Sequence, residues 1–69
     1  MILNIETTNP QQCINDMQEV WSDCKITIVN QWEKISEFKV EDKDGNECVF
    51  PLEGLLELQK YYGYNIRLR

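Results

Sequence analysis

The stretch NPQQCINDMQEVWSDC, residues 9–24, carries the clearest structural pattern in this chain. Asn9 suits the N-cap of a helix, and Pro10 suits its first position, where a missing N–H group costs nothing. Apolar side chains then recur at spacings of three and four residues: Cys13, Ile14, Met17, Val20, Trp21 and Cys24. Because this spacing places them on one side of a helix, the stretch predicts an amphipathic helix that packs on a core.

Strand-like segments lie on both sides of this helix. Residues 1–7 place Leu3 and Ile5 on one face of a strand, and the β-branched segment 25–29 follows the helix. At the far end of the chain, residues 64–68 alternate apolar and polar side chains. These three segments therefore predict strands of a sheet on which the helix packs.

The middle of the chain predicts a β-hairpin. Phe38 and Val40 lie on one face of its first strand, where apolar and charged residues alternate. A three-residue loop that ends at Gly45 places these side chains opposite Phe50 and Cys48, which keeps the apolar face whole. The same loop places the glycine where a type I turn with a bulge requires a positive φ.

A second helix is predicted after this hairpin. Pro51 suits its start, leucines and tyrosines within residues 52–62 supply its apolar surface, and Gly63 is typical of the position after a helix. The element order is then β-α-β-β-α-β, with an extra strand break near residue 32 as an alternative. This order resembles a ferredoxin-like sandwich, an α+β fold with two helices on one face of an antiparallel sheet. One domain over residues 1–69 fits that unit.

The charge of the chain restricts its partners. Twelve acids oppose seven bases, which gives a formal net charge of −5. This charge argues against direct binding of nucleic acid and against an anionic membrane surface, but it suits a basic protein surface. An odd number of cysteines, no glycosylation sequon, no signal peptide and no membrane-spanning run predict a soluble protein in the cytoplasm.

The acids and one tryptophan are the candidate partner-binding residues. Five acids share the outer sides of the two predicted helices: Asp16, Glu19, Asp23, Glu53 and Glu57. We expect them to form a mostly unpaired negative surface that copies the charge of a phosphate backbone. The alternative is a solvated surface that only keeps a small protein in solution. Trp32, beside Glu33 and Lys34, is the tryptophan expected to be exposed and to anchor a partner.

Patterns for catalysis and metal binding are weak. The chain has no histidine and only three glycines, at positions 45, 54 and 63, so nucleophile pairs with histidine and phosphate-binding loops are excluded. The three cysteines have no Cys-x-x-Cys spacing, which predicts buried thiols instead of a zinc site. We therefore expect no enzyme, no metal and no cofactor.

Residues 42–53 resemble the calcium loop of EF-hand proteins. The acidic or amide side chains of Asp42, Asp44 and Asn46 occupy its first, third and fifth positions, and Glu53 occupies its twelfth. Glu47, however, stands where the loop needs glycine for its sharp turn. A hairpin turn is therefore favoured over a calcium site.

The sequence as a whole predicts a small acidic protein-binding module. It would block a basic nucleic-acid-binding surface of a host protein by charge mimicry and steric occlusion. In size and charge the chain is similar to phage-encoded inhibitors of host defence, anti-CRISPR proteins included, and this likeness implies a viral protein in the host cytoplasm. Two alternatives stay open: a calcium- or small-ligand-responsive module centred on residues 42–53, and a homodimer formed through the exposed sheet face.

Overall fold

The computed structural model describes residues 2–45 and 52–68. Its elements are β1 (Ile2–Glu6), α1 (Pro10–Val20), β2 (Lys25–Gln31), β3 (Ile35–Glu41), α2 (Leu52–Tyr61) and β4 (Ile66–Leu68). The strands form one antiparallel sheet in the order β2-β3-β1-β4. The predicted small α+β fold with an antiparallel sheet and two helices is confirmed. Within the described ranges, no helix is both long and apolar enough to cross a membrane.

One face of the sheet carries the core. Leu3 of β1 lies opposite Phe38 of β3, which in turn lies opposite Ile28 of β2, so the three side chains form one row. Buried side chains from both helices belong to the same apolar cluster: Cys13 and Met17 from α1, and Leu55 and Leu58 from α2. Both helices therefore cover this face, and we call the other one the open face.

Helix α1 begins as its sequence predicts. The side chain of Asn9 accepts a hydrogen bond from the backbone N–H of Gln12 at 3.2 Å, and Pro10 follows as the first helical residue. The N–H of Asn9 itself bonds to the hydroxyl of Thr7 at 3.0 Å. The first turn therefore has a side-chain acceptor at its start, which stabilises the helix.

The same helix ends earlier than its apolar pattern predicts. Val20 is its last residue, and Trp21 leaves helical geometry with φ −119° and ψ 68°. Its N–H still bonds to the carbonyl of Met17 at 2.7 Å, and the N–H of Cys24 bonds to the carbonyl of Trp21 at 3.1 Å. The chain turns here, so Trp21 and Cys24 reach the core from beyond the helix.

The central hairpin joins β2 to β3 through residues 32–34. The strand break near residue 32 is thus the turn of this hairpin, which the N–H of Trp32 closes by bonding to the carbonyl of Ile35 at 2.8 Å. A bulge between Ile28 and Asn30 shifts the register of β2. Val29, the residue at the bulge, is exposed.

The predicted pairing of Phe38 with Phe50 is wrong. A strand has two edges, and at Phe38 both are occupied, by Leu3 of β1 and by Ile28 of β2. Alternation placed Phe38 on the correct face but did not identify its neighbours. The predicted strand at residues 48–50 lies outside the described residues.

The turn after β3 has the predicted backbone. Gly45 has φ +84°, and its N–H bonds to the carbonyl of Asp42 at 3.1 Å. The N–H of Asp44 bonds to the side chain of Asp42 at 2.9 Å. The positive φ expected of this glycine is confirmed, and a side chain at this position would be strained.

Candidate protein-binding surface

Helix α2 packs closely against the end of α1. An added Cβ on Gly54 would lie 2.0 Å from Nε1 of Trp21 and 2.8 Å from Cγ1 of Val20, so only glycine permits this approach. Beyond the other end of α2, the hydroxyl of Tyr64 donates a hydrogen bond to the carboxylate of Asp16 in α1. Helix α2 therefore runs antiparallel to α1, along the side of α1 that carries Val20 and Asp16.

The acids of α2 lie on its exposed side, next to the contact with α1. Glu57 comes three residues after Gly54, the contact residue, and Glu53 precedes Glu57 by four, so they follow one side of the helix. The opposite side of α2 faces β4, where Leu55 and Leu56 line a groove with Leu68. The charges of α2 therefore border its contact with α1.

The acids of α1 border the same contact. Glu19 comes three residues after Asp16, on the side of α1 along which α2 runs. Asp23 was expected on the helix and instead lies in the turn that follows it. Four of the five predicted acids are exposed, Glu19, Asp23, Glu53 and Glu57, whereas Asp16 is half-buried.

We define the helix layer as residues 10–24 and 52–61. It contains the five predicted acids and a single basic residue, Lys60, so it accounts for most of the net charge of −5. Across the described ranges, none of the five acids forms an ion pair, and the ammonium of Lys60 lies 5.8 Å from the ring centre of Tyr61. Exposed acids without counter-charges produce a negative potential over this surface.

Asp16 differs from the other acids because it is part of an internal network. Its carboxylate accepts hydrogen bonds from the hydroxyl of Tyr64 and, at 3.0 Å, from Nε2 of Gln12. The contact to Tyr64 joins α1 to the segment between α2 and β4. Asp16 therefore contributes negative charge to the surface while its oxygens bind groups of the chain itself. Sequence reasoning missed Tyr64, because no pattern relates residues 48 positions apart.

The thiol of Cys13 lies in the same network and is fully buried. Burial raises its pKa from 9.0 to about 11; the charge of Asp16 acts in the same direction and the hydrogen bond with Tyr64 opposes it. Burial and the hydrogen bond to Asp16 also raise the pKa of Tyr64. A thiol with so high a pKa is protonated at neutral pH and is a poor nucleophile. Among the described residues, neither Cys13 nor Cys24 forms a disulfide.

The structure separates Trp32 from the acids. Trp32 lies in the loop between β2 and β3, outside the helix layer, and is 56% exposed. Trp21 is 8% exposed and belongs to the core. The expectation that Trp32 is the exposed tryptophan is confirmed, whereas its role as an anchor stays a prediction.

Carboxylates on the open face have partners. Glu37 is only 2% exposed and accepts a hydrogen bond from Nδ2 of Asn30 at 2.9 Å. The ammonium of Lys39 lies 3.5 Å from a carboxylate oxygen of Glu41. The open face thus carries mixed charges that contact each other, unlike the helix layer.

Groups that could hold a metal ion are absent from the residues that the structure describes. A strand precedes Asp42, where the EF-hand pattern has a helix, and the side chain of Asp42 accepts the N–H of Asp44. Asn46 and Glu47 of the calcium-loop resemblance lie outside the described residues. The calcium-responsive alternative therefore stays a prediction.

Comparison with known proteins adds no relative. No family model, no curated protein and no solved structure matches this chain. A functional proposal for this chain therefore rests on the arrangement of its own residues.

Proposed function

We propose that this chain is a protein-binding module whose helix layer occupies a basic surface of a partner protein. The observation that carries the proposal is the charge of that layer, which has five acids, one lysine and no ion pair of these acids among the described residues. Such a surface attracts a basic partner over long distances and favours correct orientation on contact. Trp32 remains a second candidate contact, at the β2–β3 loop.

The blocked surface would be one that normally binds nucleic acid. Carboxylates that form no ion pair within residues 2–45 and 52–68 lie on two adjacent helices and in the turn after α1, and they present closely spaced negative charge, as phosphates do along a duplex. The longest dimension of the molecule is 31 Å, which equals the rise of about nine base pairs. A bound copy would therefore exclude nucleic acid by its volume as well as by its charge.

The topology supports a finer assignment of the fold. The element order β-α-β-β-α-β, the sheet order β2-β3-β1-β4 and the antiparallel helices on one face favour the ferredoxin-like sandwich. The assignment says nothing of function, because one fold supports many activities. The narrower hypothesis of a phage inhibitor of a host defence protein rests on the likeness of size and charge alone.

The proposal is tested with two variants of equal net charge. Glu19→Lys reverses one exposed acid of the helix layer, and Asp44→Lys reverses one exposed acid at the end of β3 opposite to Trp32. We expect the tagged wild-type chain to capture nucleic-acid-binding proteins from a nuclease-treated bacterial lysate, and salt to release them, because salt screens exposed charges. The captured protein should also lose its nucleic acid when the chain is added.

The comparison between the two variants decides the result. We expect the helix-layer variant to bind the captured protein at least about tenfold more weakly, a loss of about 1.4 kcal/mol, and the control variant to bind like wild type. Equal binding by both variants would show that the helix layer is only a solvated surface. Capture of no protein with a basic surface would also refute the proposal.

A further inference from the structure

The two edges of the sheet differ in their protection against pairing with another strand. At the β2 edge, a bulge lies between Ile28 and Asn30, and exposed Lys25 begins the strand. Bulges and lysines are features that prevent edge strands from pairing. The β4 edge is itself short, three residues with Arg67 at the centre, but its pairing with β1 is regular and its other two residues, Ile66 and Leu68, are apolar. Its outward backbone groups can therefore accept a further strand of similar length.

The alternation of the β-ladder determines which backbone groups face outward at this edge. The N–H of Glu6 bonds to the carbonyl of Asn65 at 3.1 Å, so Asn65 directs its backbone groups toward β1. Because antiparallel pairs alternate, Arg67 does the same, whereas Ile66 and Leu68 direct their N–H and C=O groups away from the sheet. A new strand would pair with these two residues.

An apolar groove lies beside the β4 edge on the helix side. It has a volume of about 250 Å³ and is lined by Leu55, Leu56, Gln59, Ile66 and Leu68. Leu56 is 59% exposed and Leu68 is 62% exposed. Since Glu53 and Glu57 lie on the other side of α2, this strip has no charge of its own in a chain of net charge −5.

A polar cavity runs along the same strand, with Asn4, Glu6 and Arg67 on its open side and Gln59 and Ile66 on its helix side. It has a volume of about 470 Å³, and its lining includes one acid, Glu6, and one base, Arg67. Both side chains are exposed, and they lie on the same face, because Arg67 pairs with Asn4, two residues from Glu6 on β1. The edge strand is thus flanked by an apolar groove on one side and by opposite charges on the other.

We infer that this edge binds a second copy of the chain through antiparallel pairing of β4 with β4, centred on Arg67. Ile66 of each copy then lies opposite Leu68 of the other, and the two apolar grooves join. The Cα atoms of Arg67 and of Glu6 in the other copy are separated by two strand spacings and two residues, about 12 Å. Extended arginine and glutamate side chains span this separation, so two symmetric ion pairs form. In each pair one oxygen of Glu6 keeps its hydrogen bond from Nδ2 of Asn65, at 2.9 Å, and the other oxygen binds Arg67 of the second copy.

Self-complementarity favours a second copy over other occupants. Each copy supplies a strand with the sequence Ile66-Arg67-Leu68, and beside that strand it has an apolar groove and the acid Glu6. Two-fold symmetry therefore places the apolar residues and the arginine of one copy next to the groove and the acid of the other. The two copies of Arg67 face each other, which is unfavourable, and the acid on each side offsets this repulsion. A standard interface buries roughly 800 Å² per partner, and this one is built on a strand of three residues, so we expect a weak dimer.

The two-fold axis stands perpendicular to the sheet, because the paired strands continue one sheet. All four helices then lie on the same face, and two helix layers stand side by side. The dimer is independent of the proposed function: reversal of the helix-layer acids leaves β4 unchanged, and loss of the dimer leaves each helix layer intact.

Sedimentation equilibrium from micromolar to millimolar concentration tests the inference on the full chain. The monomer mass is 8.2 kDa, and we expect the wild-type mass to rise toward twice this value. Leu68→Lys should remain a monomer, whereas Val29→Lys, a charge at the opposite edge, should dimerise like wild type. A wild-type monomer at every concentration, or equal effects of these two variants, would overturn the inference.

Charge exchange tests the ion pairs without relying on the folding of one variant. Glu6→Arg and Arg67→Glu should each weaken dimerisation about tenfold, because each leaves two like charges in contact, and the double variant Glu6→Arg/Arg67→Glu should restore it. Circular dichroism establishes that each variant is folded. A double variant that dimerises no better than either single variant would refute the proposed register. It would also refute the inference that a second copy of the chain binds at the β4 edge.

Discussion

Adjacent residues of β3 have opposite surroundings, one set under the helices and the other on the open face. Phe38 and Val40 are fully buried in the core, whereas Lys39 and Glu41 contact each other at the surface. Glu37 on the open face is also buried, but through a hydrogen bond from Asn30. Apolar packing therefore stabilises one face of the sheet, whereas Glu37 and the Lys39–Glu41 pair on the other face are stabilised by contacts between polar and charged groups.

Phe38→Ala is the substitution expected to have the largest effect on this comparison. The side chain is fully buried between Leu3 and Ile28, so its removal leaves a cavity and should lower the free energy of unfolding by about 3–5 kcal/mol. Lys39→Ala, one residue along the strand, should change it by less than about 1 kcal/mol, because exposed ion pairs contribute little. Urea denaturation measures both, and equal losses would show that the open face belongs to a core or an interface.

Gly54→Ala is expected to have the next largest effect and tests how closely the helices cover the sheet. The new methyl group would overlap the ring of Trp21 and force the two helices apart. Overpacking lowers the free energy of unfolding by about 1–3 kcal/mol. The higher helix propensity of alanine raises it by up to about 1 kcal/mol. We expect a net loss of about 1–2 kcal/mol in urea denaturation.

The control for this prediction is Gln59→Ala, which adds no clash at an exposed position of the same helix and should be nearly neutral. In the background of Trp21→Leu, the cost of Gly54→Ala should fall, because the clashing ring is absent and the two changes are coupled. Strictly additive effects in the double variant would contradict the contact between Gly54 and Trp21.

Much of the core follows from sequence patterns, but the neighbours of each strand do not. Helical spacing identified Cys13 and Met17, and alternation identified Leu3 and Phe38, all of which are fully buried. Alternation shows which face a side chain occupies, however, not which strand lies beside it. The sequence favoured a turn at Gly45 as the hairpin loop, whereas the central hairpin is the one closed by residues 32–34.

The sequence predicted the charge of the candidate surface but not the contacts that its residues form with other elements. Spacing placed Glu53 and Glu57 on one side of α2, and the structure adds that this exposed side borders the contact with α1 at Gly54. A single glycine within a helix gives no sequence signal of the side chain it packs against. The hydrogen bond between Tyr64 and Asp16 could not be predicted for the same reason, because tertiary packing brings together residues that no local sequence pattern relates.

Tyr64→Phe is expected to have the smallest effect and distinguishes Asp16 from the other acids of the helix layer. It removes one hydroxyl with its hydrogen bonds to Asp16 and Cys13, and leaves the half-buried carboxylate of Asp16 with its bond from Gln12. Because water still reaches this carboxylate, we expect a loss of about 1 kcal/mol in the free energy of unfolding. Glu19→Ala, an exposed acid three residues along the same helix, should change it by less than about 0.5 kcal/mol.

Two measurements separate the internal role of an acid from a role in partner binding. The free energy of unfolding, measured by urea denaturation at neutral pH, depends on contacts within the chain. The affinity for the partner depends on the exposed surface. If the carboxylate of Asp16 is bound by Tyr64, Tyr64→Phe should lower the free energy of unfolding and leave partner binding near that of wild type. Glu19→Lys should weaken partner binding and leave the free energy of unfolding near that of wild type. Equal stability of Tyr64→Phe and wild type would mean that the hydrogen bond between Tyr64 and Asp16 is no stronger than the hydrogen bonds that both groups form with water. Asp16 would then be as free to meet a partner as Glu19, and all five acids would form one functional surface.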